Sequence, residues 1–193
     1  MNKKVLIILG HPQKKSYCGS LANAYKEGAL STKAEVKEII LSELNYDPYL
    51  HAGYKEDQEL EPDLQKAQEF IKWAEHIVFV YPTWWGTFPA ILKGFIDRTI
   101  IPGFGFNYRK DSVWWDKLLA GRSAHLIVTM DTPPWFYRLS YGRPGHNAMK
   151  KSTLEFCGIK PVRITSIGSI KASNEEKRQK WIEKIKRYGE QLK

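Results

Sequence analysis

The sequence predicts an α/β domain, a doubly wound, five-stranded parallel sheet in the order 2-1-3-4-5 with helices on both faces. Three observations predict it. The strands are near-continuous apolar runs, such as "KVLIIL" at Lys4–Leu9, the mark of strands covered on both faces. Amphipathic helical stretches alternate with them along the whole chain. There are five such strands, which favours this order over the longer Rossmann one. Ligands of such sheets bind beyond the carboxyl ends of strands 1 and 3, where the winding reverses.

The elements follow in order. The opening "MNKKVLIILGHP" has the charge and apolar run of a leader, but the run stops at Gly10-His11-Pro12 with no small-residue cleavage site after it. A first strand explains it better. Ser20–Leu30 is expected to be helical, Val36–Leu44 a second strand, and "NYDPYLHAGYKEDQELEP" a long polar and aromatic loop. Leu64–Glu75 places Leu64, Ala67, Phe70/Ile71 and Ala74 on one helical face. His76–Tyr81 is the third strand. Pro89–Ile100 is the next helix, with proline at its first position. Ala124–Met130 is the fourth strand, Ala148–Phe156 a helix stopping near Gly158, and Val162–Ile167 the fifth strand. The last helix starts at Ser173 with Glu176 completing a capping box, and turns Trp181, Ile185, Tyr188 and Leu192 inward. With no linker or repeat, residues 1–193 are expected to form one flavodoxin-like domain.

Composition narrows the function. A chain of 193 residues with 42% hydrophobic content fills one core, and no apolar run is long enough to span a bilayer. Cys18 and Cys157 make no disulfide framework and no CxxC pair, so a reducing cytoplasm is expected. The formal charge is +9. It serves solubility or an anionic small molecule; the Lys and Arg residues are scattered, densest on the last helix, and no nucleic-acid-binding module accompanies them. The five histidines are dispersed, with His51 in a loop, His76 at a strand edge and His125 flanking the fourth strand. No metal-ligand cluster, GxSxG elbow or Cys/His pair at catalytic spacing occurs, so no metal is expected.

Two stretches flank the predicted crevice. "VYPTWWGTFPAILKGFIDR", Val80–Arg98, sets two tryptophans and a glycine on a tight turn after strand 3. Such a turn is costly to leave in water; a flat apolar ligand or a protein interface would cover it. "GHPQKKSYCGSL", Gly10–Leu21, follows strand 1. It has neither GxGxxG nor GxxxxGK[ST]. A hydroxyl-rich turn entering a helix is left: Ser16, Ser20 and the first-turn N–H groups would hold a phosphate, with His11 and Lys14 or Lys15 adding charge. The same serines would equally cap the helix; their place beside the tryptophan turn favours the anion.

These stretches resemble the NAD(P)H:quinone oxidoreductases, flavodoxin-like flavoenzymes that include the ancillary quinone-reductase subunits of potassium-efflux systems. "LGHPQKKSYCGSL" resembles their strand-1 loop, "YPTWWGTFPAILKGFIDR" their flavin-ring motif, "GFGFNY" (Gly103–Tyr108) the loop after the next helix, and "LEFCGIKPV" (Leu154–Val162) the entry to the last strand. The resemblance implies a flavin ring against Pro82, Thr83, Trp84, Trp85 and Gly86, contacted through backbone N–H groups and side chains. It implies a ribityl phosphate held by His11, Ser16, Tyr17 and Cys18, and a far ring edge closed by Thr129, Met130, Asp131 and Thr132. FMN is expected, with FAD as the alternative, because many relatives have asparagine where this chain has Cys18. The run "VTMDTPPWFYRLSYGRPGHN" departs from the family's Thr-Thr-Gly-Gly-like loop. Tyr141 and His146 are the candidates there for the Tyr and His linked to hydride transfer, and Trp135, Phe136 and Tyr137 for an acceptor-facing cluster.

The function implied is flavin-dependent oxidoreduction: hydride from NAD(P)H to flavin N5, then to a quinone or similar acceptor, by ping-pong. A homodimer is expected, with Pro48–Tyr54 and Gly103–Trp115 as its surface. The alternatives are a flavin-binding regulatory subunit of a transporter or other partner, its reductase activity secondary, and an electron-transfer flavodoxin, which the positive charge disfavours.

Overall fold

The computed structural model describes residues 2–54, 56 and 58–192. Lys55 and Asp57, in the long loop, lie outside the described residues, as do Met1 and Lys193. The strands are β1 (Lys4–Leu9), β2 (Glu35–Ile40), β3 (His76–Pro82), β4 (Phe106–Tyr108), β5 (Trp115–Lys117), β6 (Ser123–Thr129) and β7 (Val162–Ile167). The helices are α1 (Tyr17–Ser31), α2 (Pro62–Trp73), α3 (Ala90–Thr99), α4 (Pro134–Leu139), α5 (Pro144–Asn147) and α6 (Glu175–Glu190), with a π-helical stretch at Ala148–Glu155. The parallel sheet has the order β2-β1-β3-β6-β7, the predicted 2-1-3-4-5 once β4 and β5 are set aside as a separate antiparallel pair.

Alternation along each strand divides the core. Leu6 and Ile8 of β1, Ile77, Phe79 and Tyr81 of β3, and Leu126 and Val128 of β6 pack with α2 and α3. Val5, Ile7 and Leu9, Val78 and Val80, and Ile127 pack with α1 and with Ile185 of α6. Trp181, Tyr188 and Leu192 join this second layer, as their spacing predicts.

Several boundaries differ for physical reasons. The second strand ends at Ile40, because Leu41–Glu43 tightens into a 3₁₀ turn that buries Leu41. Pro89 caps α3 in an extended conformation rather than occupying its first turn. The last helix has no capping box from Ser173: that hydroxyl donates to the Ile170 carbonyl at 2.6 Å, and Asn174 caps instead, accepting from the Lys177 N–H at 3.0 Å. The first helix begins at Tyr17, earlier than its apolar periodicity, because Ser16 caps it. His125 lies within β6, opposite Val78, rather than beside the strand.

The "PAILKGF-DR" segment owes its composition to loop docking. The guanidinium of Arg98, buried in α3, donates to Glu61 through both terminal nitrogens and to the carbonyls of Asp47 and Glu59. A Cβ on Gly94 would stand 2.5 Å from Pro48 Cβ. Glycine therefore admits the long loop against the helix, and Arg98 ties down both its ends.

Candidate active site

The strand-1 loop leaves the sheet closely packed. Gly10 N–H donates to the Val80 carbonyl at 2.8 Å, extending the β1–β3 ladder by one residue. A Cβ there would meet Leu92 Cδ2 at 2.9 Å and Tyr81 Cβ at 3.1 Å. His11 Nδ1 lies 2.9 Å from Gln13 N and 3.0 Å from Gln13 O, so the loop has a partner for this ring nitrogen in either tautomer. Its ring meets Trp84 edge-on, centroids 5.8 Å apart.

Ser16 is spent on capping: its Oγ accepts from Gly19 N–H at 3.2 Å. The Tyr17 and Cys18 N–H groups, at the start of α1, have no hydrogen-bond partner among the described residues. Burial pushes the Tyr17 hydroxyl up to about 12 and the Cys18 thiol up to about 11. Cys18 Sγ lies 3.3 Å from Thr129 Oγ1, a neutral thiol joining the first loop to β6.

The turn after β3 is a two-residue hairpin loop. Trp84 and Thr87 exchange N–H···O bonds of 2.8 and 3.0 Å around Trp85 and Gly86. Both central residues have positive φ, 49° at Trp85 and 76° at Gly86, as primed turns require. Glycine adopts this freely; a tryptophan there carries strain on the order of 1–3 kcal/mol.

Contacts from outside hold the turn. Gly86 O accepts from Tyr137 Oη at 2.7 Å and from Gly145 N–H at 3.1 Å. A Cβ on Gly145 would stand 2.8 Å from Thr87 Cα. Trp85 is fully exposed. The resemblance implies ring contacts through N–H groups across the turn, but Pro82 has none, Thr83 N–H donates to Thr129 O at 2.7 Å, and Trp84 N–H is used within the hairpin. The donors left are Trp85 and Gly86.

The segment after β6 is not an open loop. Met130 pairs its backbone with Ile167 and Ile170, and Asp131 accepts from Lys171 N–H at 3.1 Å. Helices α4 and α5 then fold Tyr137 inward, 1% exposed. Its hydroxyl donates to Gly86 and accepts from Gly145 N–H at 3.0 Å. Expected as part of an acceptor-facing cluster, Tyr137 is instead an internal strut that shows the crevice only its ring.

The structure separates the candidate Tyr–His pair. Tyr141 is exposed on the crevice wall. His146 is buried behind Tyr137, ring centroids 5.0 Å apart, and its Nε2 has no hydrogen-bond partner among the described residues. Burial, assisted by the Arg143 charge, pushes the imidazole down to about 4.

Two hollows meet at Thr83, Met130 and Asp131. One, about 200 Å³, is lined also by His11, Tyr17, Cys18, Trp84 and Thr129. The other, about 510 Å³, is lined by Trp85, Gly86, Thr132, Tyr137, Tyr141 and Pro144. Trp135 and Phe136 stand outside both linings, on the outer side of α4. A cavity of about 630 Å³ between the strand-1 loop and the β2 edge, lined by Lys14, Lys15, Ser16, Tyr17 and Glu38, shares Tyr17 with the first hollow but includes no residue of the tryptophan turn or of the segment after β6. Converging donors, rather than volume, mark the crevice as the site. Unspent N–H groups at a helix start and on a tight turn, with flat aromatic surface between them, suit a phosphate at one end and a planar ring with one polar edge at the other. The chain's residues therefore fit a flavin. Gly145 and Pro144 were not legible as site residues, having only the turn signal of "GRPGHN" to show for themselves.

Known proteins share this architecture. A family model described as flavodoxin-like fold matches residues 3–192. The chain is 28% identical over 185 residues to an uncharacterised NAD(P)H oxidoreductase of Haemophilus influenzae, covering 92% of this chain and 90% of that one. It is 28% identical to human ribosyldihydronicotinamide dehydrogenase [quinone], covering 92% and 86%. Among solved structures, a Streptococcus mutans protein superposes with a TM-score of 0.83 at 29% identity, covering 97% and 98%. An NAD(P)H:quinone oxidoreductase from Methanothermobacter marburgensis superposes at 0.86 with 21% identity over the full length of both chains. By the match to nearly its whole length, the chain belongs to the flavodoxin-like fold family.

Proposed function

We propose that this chain is a flavin-dependent NAD(P)H oxidoreductase, with FMN as the cofactor and a quinone or similar two-electron acceptor as the substrate. The observation that carries the reading is the pair of hollows joined at Thr83, Met130 and Asp131, with unspent backbone donors at each end. The names of the Haemophilus influenzae and human relatives support the NAD(P)H and quinone parts. The fold is one that holds FMN: an FMN-dependent NADH-azoreductase from Bacillus anthracis, solved with FMN, superposes with a TM-score of 0.73 at 22% identity.

When bound, a flavin supplies two-electron hydride relay between NAD(P)H and the acceptor. The chain's own residues position it. The Tyr17 and Cys18 N–H groups, with the His11 imidazole beside them, would hold the phosphate. The Trp85 and Gly86 N–H groups would bond the polar edge of the ring, while Trp84 and the Thr129–Thr132 turn would enclose it. Tyr137 and Gly145 keep the turn in that geometry. Of the candidate pair, Tyr141 borders the acceptor's place and His146 supports the strut behind it. Trp135 and Phe136, on the outer side of α4, line neither hollow.

The 510 Å³ hollow suits one ring system at a time beside the flavin, which favours alternation of nicotinamide and acceptor, hence ping-pong kinetics. Exposed Tyr49, Tyr54, Tyr108, Val113 and Trp114 suit the surface of a homodimer, and the cytoplasm is the proposed compartment. The test is reconstitution. The purified chain, incubated with FMN and FAD, should retain one of them with its two visible bands and give parallel double-reciprocal lines with NAD(P)H and a quinone. A protein that stays colourless sinks the reading.

A further inference from the structure

The outer face of α4 is explained neither by the core nor by the crevice. Successive helical residues turn by about 100°, so with Tyr137 pointing inward, the outward direction falls between Trp135 and Leu139. Those two are 64% and 75% exposed, a large apolar surface on a helix of six residues. Phe136 and Arg138 flank them. Tyr141 adds a further exposed ring, edge-on to Phe136 with centroids 5.5 Å apart. The charge along the segment that carries the patch has one sign, with Asp131 at its edge paired to Lys171. From Thr132 to Leu154 the chain has Arg138, Arg143, Lys150 and Lys151 and no Asp or Glu. Arg138 and Arg143 are exposed beside the aromatic residues.

We propose that this face is an interfacial docking surface for a bilayer bearing anionic headgroups. Tryptophan and tyrosine favour the headgroup level, with an apolar body and a polar tip. Leu139 and Phe136 supply area for the acyl boundary, and the arginines meet lipid phosphates. A second copy of this chain fits worse, because a two-fold contact centred on Trp135 and Leu139 sets Arg138 and Arg143 close to their own counterparts. The contact is peripheral: no helix among the described residues is long and apolar enough to cross a membrane. Apart from Tyr141, which also borders the crevice, it uses the outside of α4 and does not rest on the flavin.

Sedimentation of the full chain with vesicles tests it. Vesicles of phosphatidylcholine mixed with phosphatidylglycerol should carry the protein down, those of phosphatidylcholine alone much less, and added salt should release it. Trp135→Ser with Leu139→Ser, and separately Arg138→Glu with Arg143→Glu, should each weaken partitioning about tenfold or more. Leu139→Ser alone removes no buried contact, so it reports on the surface even where a double variant misfolds. Lys180→Glu with Lys184→Glu, on the opposite face of the sheet, should change it little. An equal loss in that control assigns binding to diffuse positive charge and overturns the proposal. So does a wild-type protein that ignores anionic vesicles, whether because a doubled solution mass that Leu139→Ser halves shows a second copy on this face, or because a protein partner takes it instead.

Discussion

The chain carries two tryptophan pairs, Trp84–Trp85 after β3 and Trp114–Trp115 in the β4–β5 hairpin. In the hairpin, Trp115 stacks on Phe156 at 4.4 Å with planes 18° apart, and its indole N–H donates to the Phe156 carbonyl at 2.9 Å. The Arg109–Asp116 ion pair closes the strands beside it. At the crevice, the one ring that Trp84 meets among the described residues is His11, edge-on, and Trp85 is fully exposed on a backbone that tryptophan seldom adopts. In the hairpin, Trp115 returns its burial to the fold while Trp114 stays exposed. The crevice pair costs the fold something and leaves its area for a ligand. An identical dipeptide thus has opposite meanings, decided by the φ angle beneath it and by the presence of a protein neighbour.

Substitutions can break this contrast. The largest effect is expected at Trp115→Ala: about 2–4 kcal/mol of stability lost, from the stack and its hydrogen bond. Flavin affinity of the folded protein should stay near wild type. Chemical denaturation and a flavin titration read the two quantities, and a large loss of affinity would place the ring elsewhere.

Acid comes next. His146 is neutral when folded, with its pKa depressed from an ordinary 6.5 to about 4. Between those values the unfolded chain binds the extra proton, so stability is full above about pH 6.5 and is lost as pH falls toward 4. The loss should be roughly 1–3 kcal/mol. It should act on the crevice, where His146 backs Tyr137, and His146→Phe should flatten that part of the pH profile while Trp115→Ala leaves its slope unchanged.

Trp85→Gly is expected to move two quantities in opposite directions. Flavin affinity should fall roughly tenfold, about 1.4 kcal/mol, through lost aromatic area. Stability should hold or rise by about 0.5–1 kcal/mol as the positive φ is relieved. Equal losses of both would make Trp85 an ordinary packing residue. The smallest change is Tyr137→Phe, which removes the hydroxyl's bonds to Gly86 O and Gly145 N–H; because that N–H keeps its own bond to Gly86 O, the cost should be about 1 kcal/mol, with a smaller loss of flavin affinity than Trp85→Gly.

The crevice was legible because its signals are local. The apolar runs of β1 and β3 set the sheet, and the glycine after Trp85 marked the turn. The hairpin was not, since strands of three residues such as Phe106–Tyr108 are too short for any period to register. The π-helical stretch at Ala148–Glu155 was expected as a helix. Its widened bonding leaves little mark on residue spacing; Thr153 Oγ1 reaches back five residues to the Ala148 carbonyl. Between Ser173 and Asn174, two good capping residues, the choice fell to whichever hydroxyl or amide the neighbouring turn left free. Tyr137 was misplaced because "PWFYRL" holds three adjacent aromatics, and only the short helix that Pro134 starts decides which one turns inward.

The two bonds that Gly86 O accepts, from Tyr137 and from Gly145, have a consequence for loop transplantation. Neither the turn after β3 nor the segment after β6 is an independent graft. Moving Trp84–Thr87 alone into a relative would carry a strained hairpin away from its clamp; moving 132–147 alone would bury a tyrosine hydroxyl and a glycine N–H against a carbonyl that need not be there. The exchangeable cassette is the pair, and chimeras that swap both together should keep the fold that single-loop chimeras lose.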